Sequence, residues 1–542
     1  MRDSLSDKAA AYLRKLCVEI DNRRVGSAGN RAATDFFAET VAAFGWVVET
    51  SEFECVDWTQ DGADLTASGA SFTIFPSPYA LGCDVRVPLV VVSTVDELEA
   101  ADLRGKVVLL RGDIAREQIM PKNFPFYNPD EHKRIVALLE AKQPLAIAAA
   151  TSRDVQMVGS MYPFPMFEDG DFDIPSVYMT DEEGRRLAEH AGEVASLCSR
   201  ALRIPSTGCN VVARRGDPAR RIVVFAHIDA RIGTPGAGDN ASGTIALLLL
   251  AELLRNYDGA LDIELVAMNG EDYFSNPGEQ QWLALNEGGL GNILLGINVD
   301  DVGYRKGRVA YSLYDCPPDI AAAIRETLAA HAGLMEGEPW YQGDHGLFLL
   351  NGVPALALTS ELVAELMAEI THTPKDTPDT VDPAKLAEVA VALRDVVVRL
   401  AGREGAGTKG EPHLPTSEQM DELLRFLALL EQPGRAFIES WAGGETTGDG
   451  AITMPYPIYA DDVLEFFWLA GQPWWSDYDY EPRQAWTMLQ DDDFISGAGL
   501  DEIRTMLTYC VRGERFSDGH WAAMLEAGRV QAILRRLQVL RQ

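Results

Sequence analysis

Runs of apolar residues alternate with amphipathic stretches through the middle of the chain, and they predict strands and helices in turn. Between Asn210 and Leu400 the predicted strands are Ile222–His227, Asp262–Met268, Ile293–Val299, Arg308–Tyr311 and Ala355–Leu358, and the predicted helices are Ala241–Asn256, Pro318–Ala332 and Pro383–Leu400. This alternation predicts an α/β fold with a largely parallel or mixed sheet and helices on both faces.

The flanking parts of the chain have different patterns. Before Asn210 we expect helices and short strands, and between about Thr66 and Ile204 short β-like runs are separated by turns that carry Pro and Gly. We interpret this stretch as an inserted module, because it holds no cluster of histidine and carboxylate residues. The segment after Gly402 is rich in Gly, Pro and Lys, which indicates a linker. Periodic apolar positions after Ser417 predict a small helical domain.

Composition narrows the partners that the chain can have. The formal net charge is −35, with 82 acidic against 47 basic residues, which argues against nucleic acid and anionic membranes as partners. The seven cysteines are widely spaced and form no CxxC motif, so neither a disulfide framework nor a zinc–thiolate site is expected. The sequence shows no apolar leader and no apolar run long enough to span a bilayer, so we expect a cytoplasmic protein.

Histidine and carboxylate residues follow several of the predicted strand ends. They lie in five segments, which are His227 with Asp229 and Asp239, Glu271-Asp272, Asp300-Asp301, Asp344-His345, and His372 with Asp376. Because the carboxyl ends of parallel strands meet at one edge of a sheet, we expect these side chains to share a cleft. Imidazole and carboxylate groups are the ligands that zinc prefers when thiolates are absent.

The residue types suggest a role for each position in a centre with two metal ions. Asp239 can bridge two ions, with His227 and Asp300 completing one site and Asp272 and His372 completing the other. Glu271 is then the predicted general base that takes a proton from a metal-bridged water, and Asp229 is placed to orient the His227 ring.

Each of these residues also has an ordinary structural interpretation. Glu271 and Asp272 are compatible with a solvated acidic pair, Asp300 with a turn cap, and His372 with a loop residue. We interpret His345 as a structural histidine, because the ligand set is complete without it. The joint pattern within one α/β segment favours the metal centre.

The motifs that carry these residues resemble one known family. They are His-x-Asp, Pro-Gly-Ala-x-Asp-Asn-x-Ser-Gly, Gly-Glu-Asp, Asn-x-Asp-x-x-Gly, Asp-His and His-Thr-x-x-Asp, in this order. Together they resemble the co-catalytic zinc aminopeptidases, a family that also includes glutamate carboxypeptidase-like peptidases, transferrin-receptor-like non-enzymes and glutaminyl cyclases. The resemblance implies the same five metal ligands (His227, Asp239, Asp272, Asp300 and His372), with Glu271 as base and Asp229 as a catalytic acid behind the ligands.

The resemblance also implies a domain organisation. Residues 1–60 and 205–400 would form a zinc-exopeptidase-type catalytic domain, whose mixed sheet is flanked by helices. Residues 61–204 resemble the β-rich protease-associated insert, through Leu103–Leu110, Ile174–Met179 and Gly184–Leu187. Residues 401–416 would be a linker, and residues 417–542 a helical domain for which we recognise no family.

These observations predict a zinc-dependent aminopeptidase that takes peptide substrates and holds two zinc ions per chain. A glutaminyl cyclase, a carboxypeptidase-like enzyme and a non-catalytic binding scaffold are the alternatives, and the oligomeric state stays open. Many family members have Glu where this chain has Asp272, so a single-zinc site or another metal is a further alternative. Five aromatic residues near the motifs are candidates for the walls of a substrate pocket, and ordinary packing explains their presence equally well. They are Tyr273, Trp282, Trp340, Tyr341 and Phe348.

Overall fold

The structure is a computed structural model of the 542-residue chain. It describes residues 2–20, 22–125, 128–152, 161–216, 220–340, 343–402, 414–442, 456–472, 474–477, 481–514 and 519–541.

The N-terminal half begins with two helices and then becomes rich in strands. The helices of this half are Arg2–Arg14, Ala28–Ala43, Val95–Ala100, Asp130–Lys142 and Asp181–Ala188. The strands are β1 (Val47–Ala67), β2 (Ala70–Phe72), β3 (Phe75–Pro76), β4 (Cys83–Val92), β5 (Val107–Arg111), β6 (Ala146–Thr151), β7 (Ser176–Thr180) and β8 (Val194–Arg215).

The middle of the chain alternates strands and helices, as its apolar pattern predicts. The strands are β9 (Arg221–His227), β10 (Asp262–Met268), β11 (Ile293–Val299), β12 (Val309–Tyr314), β13 (Leu334–Glu336) and β14 (Ala355–Ser360). The helices are Gly243–Leu253, Pro277–Leu285, Pro318–Leu328, His345–Leu350, Val363–Glu369 and Pro383–Ala401. Strands β9, β10 and β11 are buried along almost their whole length, which explains their continuous apolar runs.

All these strands join one mixed sheet of 14 strands, and helices flank it, so the predicted fold class is confirmed. Strand β9 lies between β10 and β11 and is parallel to both, while β14 is parallel to β11. After β9 the chain therefore adds β10 on one side of β9 and later adds β11 on the other side of β9. Such a reversal of strand order opens a crevice at the carboxyl ends of the strands, where α/β proteins bind their ligands.

Strands β1 and β8 are much longer than the sequence suggests. They pair antiparallel from Val47 opposite Arg214 to Ala67 opposite Ala195, with one irregularity between Gln60 and Ala63. The predicted limits of the insert, 60/61 and 204/205, therefore fall inside two continuous strands. Strand β4 pairs with the distal part of β8, so residues 61–204, the predicted insert, continue the sheet that the strands of residues 221–360 form.

The main hydrophobic core lies between the sheet and its helices. Helix Gly243–Leu253 is buried on all sides, because helix Pro383–Ala401, the N-terminal helix Arg2–Arg14 and the sheet cover it. This enclosure explains why its sequence lacks a polar face.

The C-terminal region is mainly helical and has a core of its own. Its helices are Ser417–Leu424, Leu427–Leu430, Asp461–Ala470, Pro482–Leu489, Asp492–Gly497, Leu500–Gly513, His520–Glu526 and Arg529–Arg541, and strands β15 (Ile438–Ala442) and β16 (Tyr456–Tyr459) form a separate antiparallel pair. Among the helices that the structure describes, none combines the length and the apolar character that crossing a bilayer requires.

Candidate metal centre

The three central strands deliver the candidate ligands to one edge of the sheet. His227 is the last residue of β9, Glu271 and Asp272 lie in the loop after β10, and Asp300 directly follows β11. Because these strands are parallel neighbours, their ends bring residues together that are far apart in the sequence.

Asp239 lies at the centre of this group and faces two histidines. Its Oδ1 atom is 3.0 Å from Nε2 of His227, and its Oδ2 atom is 3.1 Å from Nε2 of His372. On the first side, Asp300 Oδ1 is 3.7 Å from His227 Nε2. On the second side, Asp272 Oδ1 is 3.0 Å from His372 Nε2, so the aspartate reaches the site despite its shorter side chain. The structure thus brings all five predicted ligands together.

The arrangement forms two overlapping groups that could hold a metal ion. One consists of His227, Asp239 and Asp300, and the other of Asp239, Asp272 and His372. Both ring nitrogens of His227 and one oxygen each of Asp272 and Asp300 are buried without a hydrogen-bonding partner among the described residues. Buried nitrogen and oxygen acceptors that face one another at 3 Å need a cation or a proton between them, so the donor set fits divalent metal ions.

Glu271 lies beside these groups and is more accessible. Its Oε2 atom is 4.0 Å from His227 Nε2, and 28% of its side chain is exposed, against 3% for Asp272. It also belongs to a third compact group with His227 and Asp272. The side chain therefore reaches the cleft from the edge of the ligand set.

The contacts of Asp229 differ from the predicted ones. Its carboxylate is 3.6 Å from Nδ1 of His227, which is longer than a hydrogen bond. It accepts instead from the backbone N–H groups of Gly270 (2.8 Å) and Asp272 (3.0 Å). In this structure Asp229 therefore fixes the loop that carries Glu271 and Asp272, a role that no local sequence pattern predicts.

Two residues without a predicted role hold the turn that presents Asp239. Asp376 accepts the backbone N–H groups of Gly238 (2.7 Å) and Asp239 (3.0 Å). The buried guanidinium of Arg23 donates to the carbonyls of Pro235 (2.9 Å) and Gly236 (2.7 Å). The motif that contains Asp376 was visible in the sequence, whereas the contacts of Arg23 span more than 200 residues.

His345 lies apart from the two metal-binding groups. Its ring is fully buried against Tyr314 and Trp340, and its Nε2 atom is 2.7 Å from the carbonyl oxygen of Trp340. Burial lowers the pKa of His345 to about 4, so the ring is neutral and donates to this carbonyl.

The candidate wall residues that the structure describes pack largely inside the protein. Trp282 and Phe348 belong to a buried cluster with Trp340 at its edge, and Tyr273 belongs to a second cluster. Tyr341 lies outside the described residues.

The carboxylates of the site differ in their protonation behaviour. Burial alone would raise the pKa of Asp239, but its close contacts and charge interactions with His227 and His372 outweigh burial and lower the pKa. Burial raises the pKa of Glu271 well above its ordinary value, and the nearby carboxylates, including Asp272, raise it further, although His227 opposes this. These influences favour the ionised form of Asp239 and the protonated form of Glu271.

Comparisons with known proteins agree with this geometry. Residues 210–397 match the family described as Peptidase family M28, and residues 415–542 match a family of unknown function, DUF6508. The chain is 24% identical over 400 residues to the probable lipoprotein aminopeptidase LpqL of Mycobacterium tuberculosis. The aligned region covers 67% of this chain and 75% of that protein. It is 23% identical over 376 residues to the probable leucine aminopeptidase 2 of Aspergillus fumigatus, covering 65% of this chain and 69% of that protein.

A solved structure shows the same fold. The zinc aminopeptidase BSAP of Bacillus subtilis superposes with a TM-score of 0.57 at 18% identity, covering 74% of this chain and 96% of that one. At this identity the likeness concerns the fold alone. The family match and the shared fold confirm the resemblance that the motifs indicate: residues 210–397 match peptidase family M28, and the fold is that of a zinc aminopeptidase of known structure.

Proposed function

We propose that the protein is a metal-dependent aminopeptidase that removes N-terminal residues from peptides and uses two zinc ions. The observation that carries this proposal is the position of Asp239, whose two oxygens lie 3.0 and 3.1 Å from two different histidines. A carboxylate in this position is suited to bridge a metal pair. His227 and Asp300 would complete one site, and Asp272 and His372 the other.

Zinc, when bound there, supplies a Lewis acid for the peptide carbonyl and lowers the pKa of water at the site. Glu271 takes the proton of the attacking water and passes it to the leaving amine. Its raised pKa and its position at the edge of the ligand group suit this transfer, because a general base works best with a pKa near the working pH. Asp229 keeps Glu271 in place by binding the backbone of its loop.

Two features support an aminopeptidase among the activities that this metal centre can have. The cleft holds more carboxyl groups than the candidate ligand set alone, since Asp301 and Asp344 also lie close to the ligands, where burial and then charge repulsion from neighbouring carboxylates raise their pKa. An excess of carboxylates favours a substrate with a free, positively charged α-amine. The two relatives compared above also carry the name aminopeptidase.

The Glu271→Gln variant tests the mechanism, because it removes the base and keeps the shape of the side chain. We expect the turnover of aminoacyl-nitroanilide substrates to fall by about 10²–10⁴-fold, while elemental analysis finds the same zinc content. Glu287→Gln is the matched control, since Glu287 is exposed after helix Pro277–Leu285. Unchanged turnover in Glu271→Gln would overturn the proposed mechanism.

The specificity is tested with peptides that differ only at the N-terminus. We expect hydrolysis of peptides with a free amine and none of their N-acetylated counterparts. Cleavage confined to the blocked peptides, or cyclisation of N-terminal glutamine without hydrolysis, would reject the aminopeptidase and leave the metal centre to another reaction of the family.

A further inference from the structure

Two residues of the insert reach the candidate metal centre through an arginine. The guanidinium of Arg231, which lies four residues after β9, binds Glu168, and its Nη2 atom donates to Oε1 of Gln118 at 3.2 Å. Gln118 also donates to Glu168 at 3.1 Å. The side chains of Arg231 and Glu168 are only 14% and 8% exposed. This is a mostly buried ion pair between the insert and the catalytic segment.

The same arginine contacts a candidate metal ligand. Nη1 of Arg231 lies 3.0 Å from Nδ1 of His372, whose Nε2 atom faces Asp239 and Asp272. A histidine that binds a metal through Nε2 usually donates its Nδ1–H to a carboxylate or a carbonyl group. A guanidinium cannot accept that hydrogen bond, because it carries donors only. Arg231 therefore does not orient the His372 ring as such a carboxylate or carbonyl group would, and its position beside His372 needs another explanation.

Charge gives that explanation. Arg231 is attracted both by Glu168 in the insert and by Asp272 in the metal centre. A cation that moved onto Asp272 would compete with a metal ion for the same carboxylate. Glu168 and Gln118 bind the guanidinium on the opposite side and so compensate this attraction.

The segment that carries Glu168 is firmly seated on the catalytic segment. Next to it, Gly170 packs so closely against Phe274 that an added Cβ atom would lie 2.3 Å from the ring. Asp169 accepts the backbone N–H groups of Lys122 (2.7 Å) and Asp171 (2.7 Å). Glu168 therefore has a fixed position from which it can hold Arg231.

We propose that Glu168, supported by Gln118, is a positioning residue that keeps Arg231 away from the carboxylates of the metal centre and so preserves metal affinity. The inference rests on the proposed function, since it assumes that the centre binds zinc. It assigns the insert a direct part in the site.

Zinc affinity of the full-length protein, measured by competition with a chromophoric chelator, tests this role without any activity assay. Glu168→Gln keeps the shape of the side chain and removes its charge. We expect its zinc dissociation constant to rise by about tenfold or more, in the range usual for residues that support metal ligands. Glu140→Gln, a carboxylate of the insert surface that pairs with Lys122, is the control and should bind zinc like the wild type.

A second variant separates this role from a merely structural one. If Arg231 is the competitor, Arg231→Met should not weaken zinc binding, and Glu168→Gln combined with Arg231→Met should return to within about threefold of the wild type. An affinity loss of tenfold in the double variant, or an unchanged affinity in Glu168→Gln, overturns the proposal. If Glu168→Gln does not fold, the zinc affinities of Arg231→Met and of the double variant still test the proposal, because a tenfold loss in either one contradicts it.

The outcome also distinguishes this inference from the proposed function. A wild-type protein that binds no zinc would contradict both. A wild type that binds zinc and cleaves peptides, with the same zinc affinity in Glu168→Gln, would contradict only the role of Glu168.

Discussion

At the scale of single residues, the histidines near the cleft divide into two kinds. Burial alone would lower the pKa of His372, but Asp272 and Asp239 raise it to about 10, and carboxylates act on His227 in the same direction. His345 has an apolar and aromatic environment instead, and burial lowers its pKa to about 4. The first kind is suited to bind cations between ring and carboxylate, and the second is a neutral part of the core.

The low pKa of His345 has a consequence for acid stability. In the unfolded chain the ring has its ordinary pKa of about 6.5, so between about pH 6.5 and 4 the unfolded state binds more protons than the folded state. This group therefore contributes stability above about pH 6.5 that is lost as the pH falls to about 4. The shift corresponds to about 3 kcal/mol of unfolding free energy.

The comparison of wild type with His345→Gln isolates this contribution from those of the many carboxylates. Urea unfolding of the metal-free proteins should show the wild type losing its stability relative to the variant as the pH is lowered from 7 to 4. If the unfolding free energies of wild type and variant change with pH in parallel over this range, His345 is not the source of the acid sensitivity.

The site residues differ in how far the sequence could predict them. The five candidate ligands and Glu271 directly follow buried strands or lie in short motifs, so residue type and position were enough to select them as candidates. Arg23 and Arg231 act through partners that are more than 60 residues away along the chain, and no local pattern records such contacts. The same holds for Asp229, because the two backbone N–H groups that donate to its carboxylate, those of Gly270 and Asp272, lie in the loop after β10, more than 40 residues further along the chain.

At the scale of elements, the close approach of helix Gly243–Leu253 to β11 sets the position of Asp239 relative to Asp300. A Cβ atom on Gly243 would lie 2.1 Å from the carbonyl oxygen of Val299 and 2.5 Å from Oδ1 of Asn240. Gly243 has an ordinary helical conformation (φ −64°), so space and not backbone strain requires glycine here. The helix can begin at this place only because the residue has no side chain.

Gly243→Ala should therefore separate the helix start from β11. We expect a loss of about 1–3 kcal/mol in unfolding free energy, as for an overpacked core, together with weaker zinc binding. Gly346→Ala is the control, because Gly346 lies in helix His345–Leu350 with open space where the Cβ would be. That change should be neutral or stabilise by up to about 1 kcal/mol. Equal effects of both substitutions in chemical denaturation would contradict the packing argument.

The elements themselves were predictable to different degrees. Strands β10 and β11 begin and end where their apolar runs do, because they are buried on both faces. Strands β1 and β8 extend far beyond any apolar run, since much of each strand is exposed and only their mutual pairing defines them. The periodic apolar positions near the C-terminus do not show where one helix ends: His520–Glu526 and Arg529–Arg541 are two helices, because Gly528 adopts a left-handed conformation (φ +70°) between them.

At the scale of the whole molecule, the C-terminal region and residues 2–402 have separate hydrophobic cores. The C-terminal cluster contains only residues between Leu423 and Leu537, and the main cluster ends at Leu400. An ion pair between Arg512 and Asp315, with 3.2 Å between Nε and Oδ2, links the two parts. Since burial of apolar surface is the dominant stabilising term, each part has its own source of stability.

We therefore expect residues 1–402 and residues 414–542 to fold when they are produced separately. Each fragment should unfold cooperatively on heating, and fragment 1–402 should bind zinc as tightly as the full chain, because all candidate ligands and Glu168 lie within it. Fragment 1–350 is the control: it lacks β14 and helix Pro383–Ala401, which packs against helix Gly243–Leu253, so it should not fold. If fragment 414–542 has no cooperative transition, its core depends on the catalytic segment, and the two parts are a single folding unit.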